Sequence, residues 1–175
     1  DKRYFPTKGL KTNIFYTIYT NLHTNTAYSS LATQITKIFP ITLNTFIIPT
    51  IYGRFIFNDG IPFMYSNVIG GEGYNPHYEQ QIPFSGLTHT ESTLKLLGNA
   101  QIQVRHKFHE KQYLTLSGNY AIHQNQFSNF LQGKKIYGTS IGYGYDSPLG
   151  PIEGFICYSN RTNKLGFYLN IGFGF

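Results

Sequence analysis

Residues 138–142 read Gly138-Thr139-Ser140-Ile141-Gly142, the G-x-S-x-G pattern that can carry a nucleophilic serine on a sharp strand-to-helix turn. Such an elbow needs a helix directly after the serine. Here a period-two alternation continues through Tyr145 into the turn Asp146-Ser147-Pro148-Leu149-Gly150-Pro151. Ser140 therefore reads as a small residue on one face of a strand. Candidate bases are His23, His77, His89, His106, His109 and His123. His123 shares a strand face with Ser117, but six residues along a strand is roughly 20 Å. A general base must lie within hydrogen-bond reach of its nucleophile, so only cross-strand partners remain. His77 and His89 show no metal-ligand spacing motif. The lone Cys157 excludes an internal disulfide and a cysteine-built metal site. The sequence thus assigns no catalytic, metal or cofactor-binding residue.

The elements that would position these residues are strands. Charged residues make up 13% of the 175-residue chain, about half the usual share for soluble domains, while aromatics reach 17% and glycine is frequent. That balance suits strands with one apolar and one polar face, as in transmembrane β-barrels. No apolar run of about 18 residues is present, so no membrane-spanning helix is expected. The opening stretch 1–9 is polar and turn-rich rather than a signal peptide, so the sequence reads as mature or as part of a longer protein. The 14 Lys and Arg are scattered, and Lys134-Lys135 is the one tight pair. This distribution does not form a phosphate-tracking stripe, and no nucleic-acid partner is expected.

Period two dominates throughout, and no amphipathic helix is evident. In 164–175, Leu165, Phe167, Leu169, Ile171, Phe173 and Phe175 alternate with polar or small residues. Strands are expected at about 10–21, 28–37, 42–57, 99–108, 112–123, 135–145, 150–159 and 164–175, near the ten-residue length of tilted membrane strands. Short turns near 38–41, 108–111 and 146–149 alternate with longer connections near 22–27, 58–93, 124–134 and 159–163. Outer-membrane barrels have this asymmetry of turns and loops. A soluble sandwich would alternate too, but its polar faces meet water and carry charge. Here they are Asn, Gln, Thr, Ser, Gly and Tyr, which suits a lumen. The expected fold is all-β, an antiparallel transmembrane β-barrel with about eight strands over 1–175. The external loop at about 58–93 is too long for a plain hairpin and is expected to be structured or functional. Tyr145, Tyr158 and Phe108 lie near strand ends, where an aromatic girdle meets headgroups.

The stretches 5-FPTKG-9, 61-IPFMYSNVIGGEGYN-75, 140-SIGYGYDSPLGPIEG-154 and 167-FYLNIGFGF-175, in this order, resemble the second half of the barrel in the bacterial surface-antigen superfamily. That superfamily includes outer-membrane assembly proteins, two-partner secretion transporters and outer-membrane patatin-like phospholipases. The resemblance covers nearly the whole chain. The S-P-L-G-P turn and the Phe-terminated strand are its most specific parts. Residues 70-GGEGYNPHYEQQIPFSGL-87 resemble the patatin-like branch most. The assembly and secretion members carry Arg-Gly-Phe/Tyr in this loop, and its Arg meets an acidic residue on the wall. Glu72, Gly73 and Tyr74 stand in that place, and the facing Ser117-Gly118-Asn119 has no Asp. This departure argues against protein translocation as in those members, and suggests Glu72 with Arg105 as a replacement. The resemblance implies barrels of sixteen strands. Eight could be half of such a barrel, close alone, or pair with a second copy, because open edges in lipid are costly.

Patatin-like lookalikes of an oxyanion loop, Gly70-Gly71-Glu72-Gly73, and of the aspartate motif, Asp59-Gly60, are present, but the order is wrong and Asn-Asp-Gly is an ordinary turn signal. A catalytic domain would lie upstream. The resemblance therefore implies a Gram-negative outer-membrane segment that anchors, presents or translocates an upstream patatin-like phospholipase domain. Its partners would be outer-membrane lipids and the assembly machinery, which would read the last strand ending in Phe175. The alternative is a small stand-alone barrel acting as a lipid-modifying enzyme or porin-like protein. Gly138, Gly142 and Gly144 are expected to form a smooth inner strip against which the 58–93 loop packs. Gly142→Leu should then destabilise the barrel or expel the loop. Unchanged heat-modifiable gel mobility and loop proteolysis would contradict this.

Overall fold

The computed structural model describes residues 5–21, 26–58, 61–71, 80–87, 89–148 and 150–172. The chain forms β1 (Gly9–Asn21), β2 (Thr26–Pro40), β3 (Thr45–Ile56), β4 (Asn67–Ile69), β5 (Gln81–Ile82), β6 (Glu91–Thr93), β7 (Leu96–His109), β8 (Gln112–Gln124), β9 (Lys134–Ser147), β10 (Gly150–Ser159) and β11 (Leu165–Ile171). Eight of these make one sheet in the order β1-β2-β3-β7-β8-β9-β10-β11, and the short β5-β4-β6 make a second. Every neighbouring pair of the large sheet is antiparallel. Among the described residues the sheet is open: β1 and β11 form its two edges and do not pair with each other.

One row of the sheet shows why these residues make it. Phe39, Ile47, Val104, Leu116, Ile141, Ile156 and Phe167 are successive cross-strand partners across seven strands. The adjacent row holds Ile48, Gln103, Ser117, Ser140, Cys157 and Gly166. A step of one residue thus turns an apolar row into a largely polar or small one. Side chains alternate between faces with period two, so this fixes register strongly. The first row belongs to an outer face where Leu10, Ile14, Ile18, Ile102, Leu165 and Ile171 are also exposed. The second belongs to an inner face on which the described parts of the segment between β3 and β7 fold back.

The turns refine the sequence expectations. The chain does not turn at 38–41. It turns at 41–44, where the Thr42 hydroxyl accepts hydrogen bonds from the backbone N–H groups of Asn44 (3.3 Å) and Thr45 (3.0 Å). β3 consequently begins at Thr45 rather than 42, and Leu43 is 96% exposed at the tip. Pro49 sits inside β3 and has no N–H to give. The β2–β3 pairing lapses at Lys37 and Ile38 and resumes in the same register at Phe39 and Ile47. The last strand is described to Ile171, followed by Gly172 with φ +99°. Phe173 and Phe175 lie outside the described residues.

Aromatic residues occur near both ends of the outer face. Phe108 and Tyr143 meet at 6.1 Å near the short-turn end. Tyr120 and Tyr137 are cross-strand partners toward the other end, where the Tyr158 hydroxyl donates to Asn163 Oδ1 at 3.1 Å. Ile156 lies between these zones, with Ile141 and Phe167 as its outer-face partners. If the outer face meets lipid, as the alternation leads one to expect, Ile156→Lys should destabilise the folded protein by about 2–4 kcal/mol, the cost of a cation facing lipid near the midplane. Denaturant titration in lipid vesicles measures this, with the inner-face change Gln103→Lys as a milder comparison.

Candidate functional site

Among the described contacts, three groups stand out in holding the insertion between β3 and β7 to the inner face. Arg54, on β3, is buried. Its Nη1 donates to Asn67 Oδ1 at 2.7 Å, its Nη2 to Ser30 Oγ at 3.2 Å, and both to the Tyr65 carbonyl at 3.3 Å. Asn67 is fully buried, and its Nδ2 donates to the carbonyls of Leu94 and Lys95, each at 2.8 Å. One Arg–Asn pair thus ties the early part of the insertion to its return and to β2. Among the described residues no carboxylate pairs with Arg54. Hydrogen bonds from a charged group contribute about 1.5–3 kcal/mol each, so several neutral acceptors can satisfy a buried guanidinium.

The second holding point is apolar. Ile69, Ile82, Phe84 and Leu87 from the insertion pack with Tyr52, Leu97, Ala121 and Ile136 from the wall. The third is made of hydroxyls. Ser85 of the insertion, Ser117 of β8 and Ser140 of β9 stand 2.8, 2.6 and 3.2 Å apart around a triangle. All three are buried. Each hydroxyl can donate once and accept from its neighbours, which closes the triangle. Among the described residues, Ser117 and Ser140 hydrogen-bond to no histidine or carboxylate, so Ser140 has no such base there. His123 is on the same inner face as Ser117 but accepts instead from the Leu94 backbone N–H at 3.3 Å.

Backbone approach completes the seat. A Cβ at Gly138 would lie 1.8 Å from the Ser85 carbonyl oxygen. Gly86 has φ +88°, and a Cβ there would lie 2.2 Å from the Tyr158 carbonyl oxygen. The segment 84–87 therefore lies flush on β9 and β10, where only glycine fits on either side.

The other sequence-derived candidates are placed as follows. Glu72, Gly73, Tyr74 and Phe175, with His23, His77, Asp59 and Gly60, lie outside the described residues. Gly138, Gly142 and Gly144 share the inner face of β9 but have three different neighbours. Gly138 meets the insertion, Gly142 is covered by the Phe155 ring of β10, and Gly144 faces Phe5 and Glu153. The consequence of Gly142→Leu therefore falls first on Phe155, whose ring lies 2.2 Å from the added Cβ. Arg105 is buried under Phe5, 5.2 Å from the ring centroid. His89 pairs with Glu91 at 3.4 Å, and Arg161 holds the same carboxylate at 2.9 Å. No group of three or more His, Cys, Asp or Glu able to hold a metal occurs among the described residues.

Sequence reasoning missed Arg54, Asn67 and Ser85. An isolated arginine in an otherwise apolar strand, 52-YGRFI-56, was the available signal for the first. Ser85 and Asn67 gave none, because their partners are 32 and 13 residues away.

An all-β meander with an apolar outer face, a polar inner face and a long insertion anchored inside is the architecture of a membrane β-barrel wall. The chain matches the OMP85 superfamily over residues 1–175 and belongs to that superfamily of outer-membrane β-barrel proteins. No curated protein matches it.

Gly138→Val should lift the insertion from the wall and make residues 61–93 several-fold more sensitive to protease in the folded protein. Ser140→Ala should cost only about 1 kcal/mol, the scale of a lost hydroxyl hydrogen bond, and leave the insertion seated. Limited proteolysis followed by mass spectrometry separates the two.

Proposed function

We propose that the chain is a wall of a transmembrane β-barrel in the bacterial outer membrane, with the 57–95 insertion seated against its lumen side. The observation that carries this reading is the pair of adjacent rows: seven apolar partners outward, and a largely polar or small row inward. Such a face exposed to water across a whole sheet would be an aggregation hazard, and lipid removes it. The loops 57–95, 125–133 and 160–164 leave one end of the sheet, and the tight turns 41–44 and 110–111 the other. This fits external loops and periplasmic turns. The edges β1 and β11 then need partners, which further strands or a second copy would supply.

The finer role is that of an anchor that presents or translocates an upstream domain, with a patatin-like phospholipase as the candidate. Its support is the resemblance of 70–87 and the replacement of an arginine-based loop anchor by Glu72-Gly73-Tyr74. The closed hydroxyl triangle around Ser140 argues against hydrolase chemistry in this segment. Outer-membrane lipids and the assembly machinery, reading the terminal strand, are the proposed partners.

Two epitope tags test the topology. A tag in 125–133 should be removed by protease added to intact cells, while one at 110–111 should survive until the outer membrane is permeabilised. Equal protection of both would defeat the reading. Phospholipase activity that is present in the native protein and absent from residues 1–175 alone would support the upstream domain. Persistence of that activity in the isolated segment would favour a barrel enzyme.

A further inference from the structure

Two arginines are buried on the inner face, and they are treated differently. Arg54 spends its guanidinium on Asn67, Ser30 and Tyr65. Arg105 is 6% exposed, yet its Nε and Nη1 have no hydrogen-bond partner, and no ion pair to it occurs among the described residues. Its cross-strand neighbours on this face are Phe46 and Thr115. Above it lies Phe5, which is itself stacked on Tyr113 at 4.1 Å with the planes 9° apart. A cation over an aromatic face gains some attraction, but that contact uses none of the N–H groups. A buried guanidinium with Nε and Nη1 left without acceptors is costly, and such a group in a cleft marks a candidate binding site.

Arg105 lines a cavity of about 420 Å³ on the inner face, bounded on its other side by residues 81–85 of the insertion. Lys11, Gln101, Gln103 and Thr115 line the same cavity. Lys11 and Gln101 lie on one row of the sheet, through Thr36 and Thr50. Gln103 precedes Arg105 on the same face of β7. The wall therefore offers an ammonium, a guanidinium fork and two side-chain amides. A guanidinium has five donors and no acceptor, and its planar fork matches carboxylate and phosphate oxygens.

We propose that this cavity is an oxyanion-binding site in which Arg105 grips a carboxylate or phosphate group, with Lys11, Gln101 and Gln103 as supporting donors. Glu153 also lines the cavity, beyond Phe5 and Gly144. The oxyanion would come from a solute entering the lumen.

The test uses the folded protein in detergent with [¹⁵N]arginine. The chain has four arginines, Arg3, Arg54, Arg105 and Arg161, and loss of one Nε–H resonance in Arg105→Lys assigns the signal. If Arg105→Lys does not fold, Arg3→Gln and Arg161→Gln remove two of the other signals, and Thr115→Val shifts Arg105 rather than Arg54. Acetate and phosphate should each move the Arg105 resonance saturably, while chloride at equal ionic strength should not. A resonance that stays in place with acetate and with phosphate alike would overturn the site.

Discussion

In hydrocarbon, a backbone N–H or C=O without a partner has no water to turn to, and each one left open costs several kcal/mol. With the outer face in lipid, as proposed, that constraint organises this chain more than any side-chain contact. It demands long antiparallel ladders, and seven of them run between neighbouring strands of the large sheet. It allows irregular backbone only where protein covers it, so the insertion lies on the inner face. It tolerates Pro49 inside β3 because the lapse spans only two residues and the register survives it. It also makes the unpaired outer sides of β1 and β11 the least self-sufficient parts of the molecule.

Within that frame the insertion is fastened mainly by neutral groups. Among the described contacts on the inner wall, carbonyls, an asparagine and hydroxyls take the place of carboxylates. Arg54 supplies the single formal charge in its knot, and its acceptors are Asn67, Ser30 and the Tyr65 backbone. The Ser85–Ser117–Ser140 triangle adds no charge at all. Such a fastening depends little on ionic strength, because screening acts on charge pairs rather than on buried neutral hydrogen bonds. The ion pair of Arg161 with Glu91 at the insertion's edge is partly exposed and contributes little.

The large sheet was legible because alternation is a local property. Leu165 through Ile171 alternate without exception, and the inner placement of Ser140 and the β9 glycines follows from the same parity. The turn at 41–44 was harder, because Pro40 looks like a terminator although it still pairs with Phe46 at the end of β2. The strands β4, β5 and β6 are two or three residues long, too short for any periodicity to show. The seat of the insertion was illegible for another reason. Its contacts join residues far apart in sequence, and a serine in a loop carries no mark of the two serines it will meet. The G-x-S-x-G pattern was misleading in the same way: its flanking glycines serve close packing on the inner wall, and the chemistry needs a turn that the strand never makes.

The flush contact between Gly138 and the Ser85 carbonyl has a consequence for assembly. Strands β9 and β10 follow the insertion in the chain, so the seat is finished only when they are laid down. If β9 slipped by one residue, Tyr137 or Thr139 would come beneath Ser85. A slip of two would bring Ile136 or Ser140, and each of these has a Cβ where none fits. Ladder hydrogen bonds alone would accept many of these alignments. The insertion does not, and so it works as a gauge that checks the alignment of the late strands against a feature set earlier in the chain.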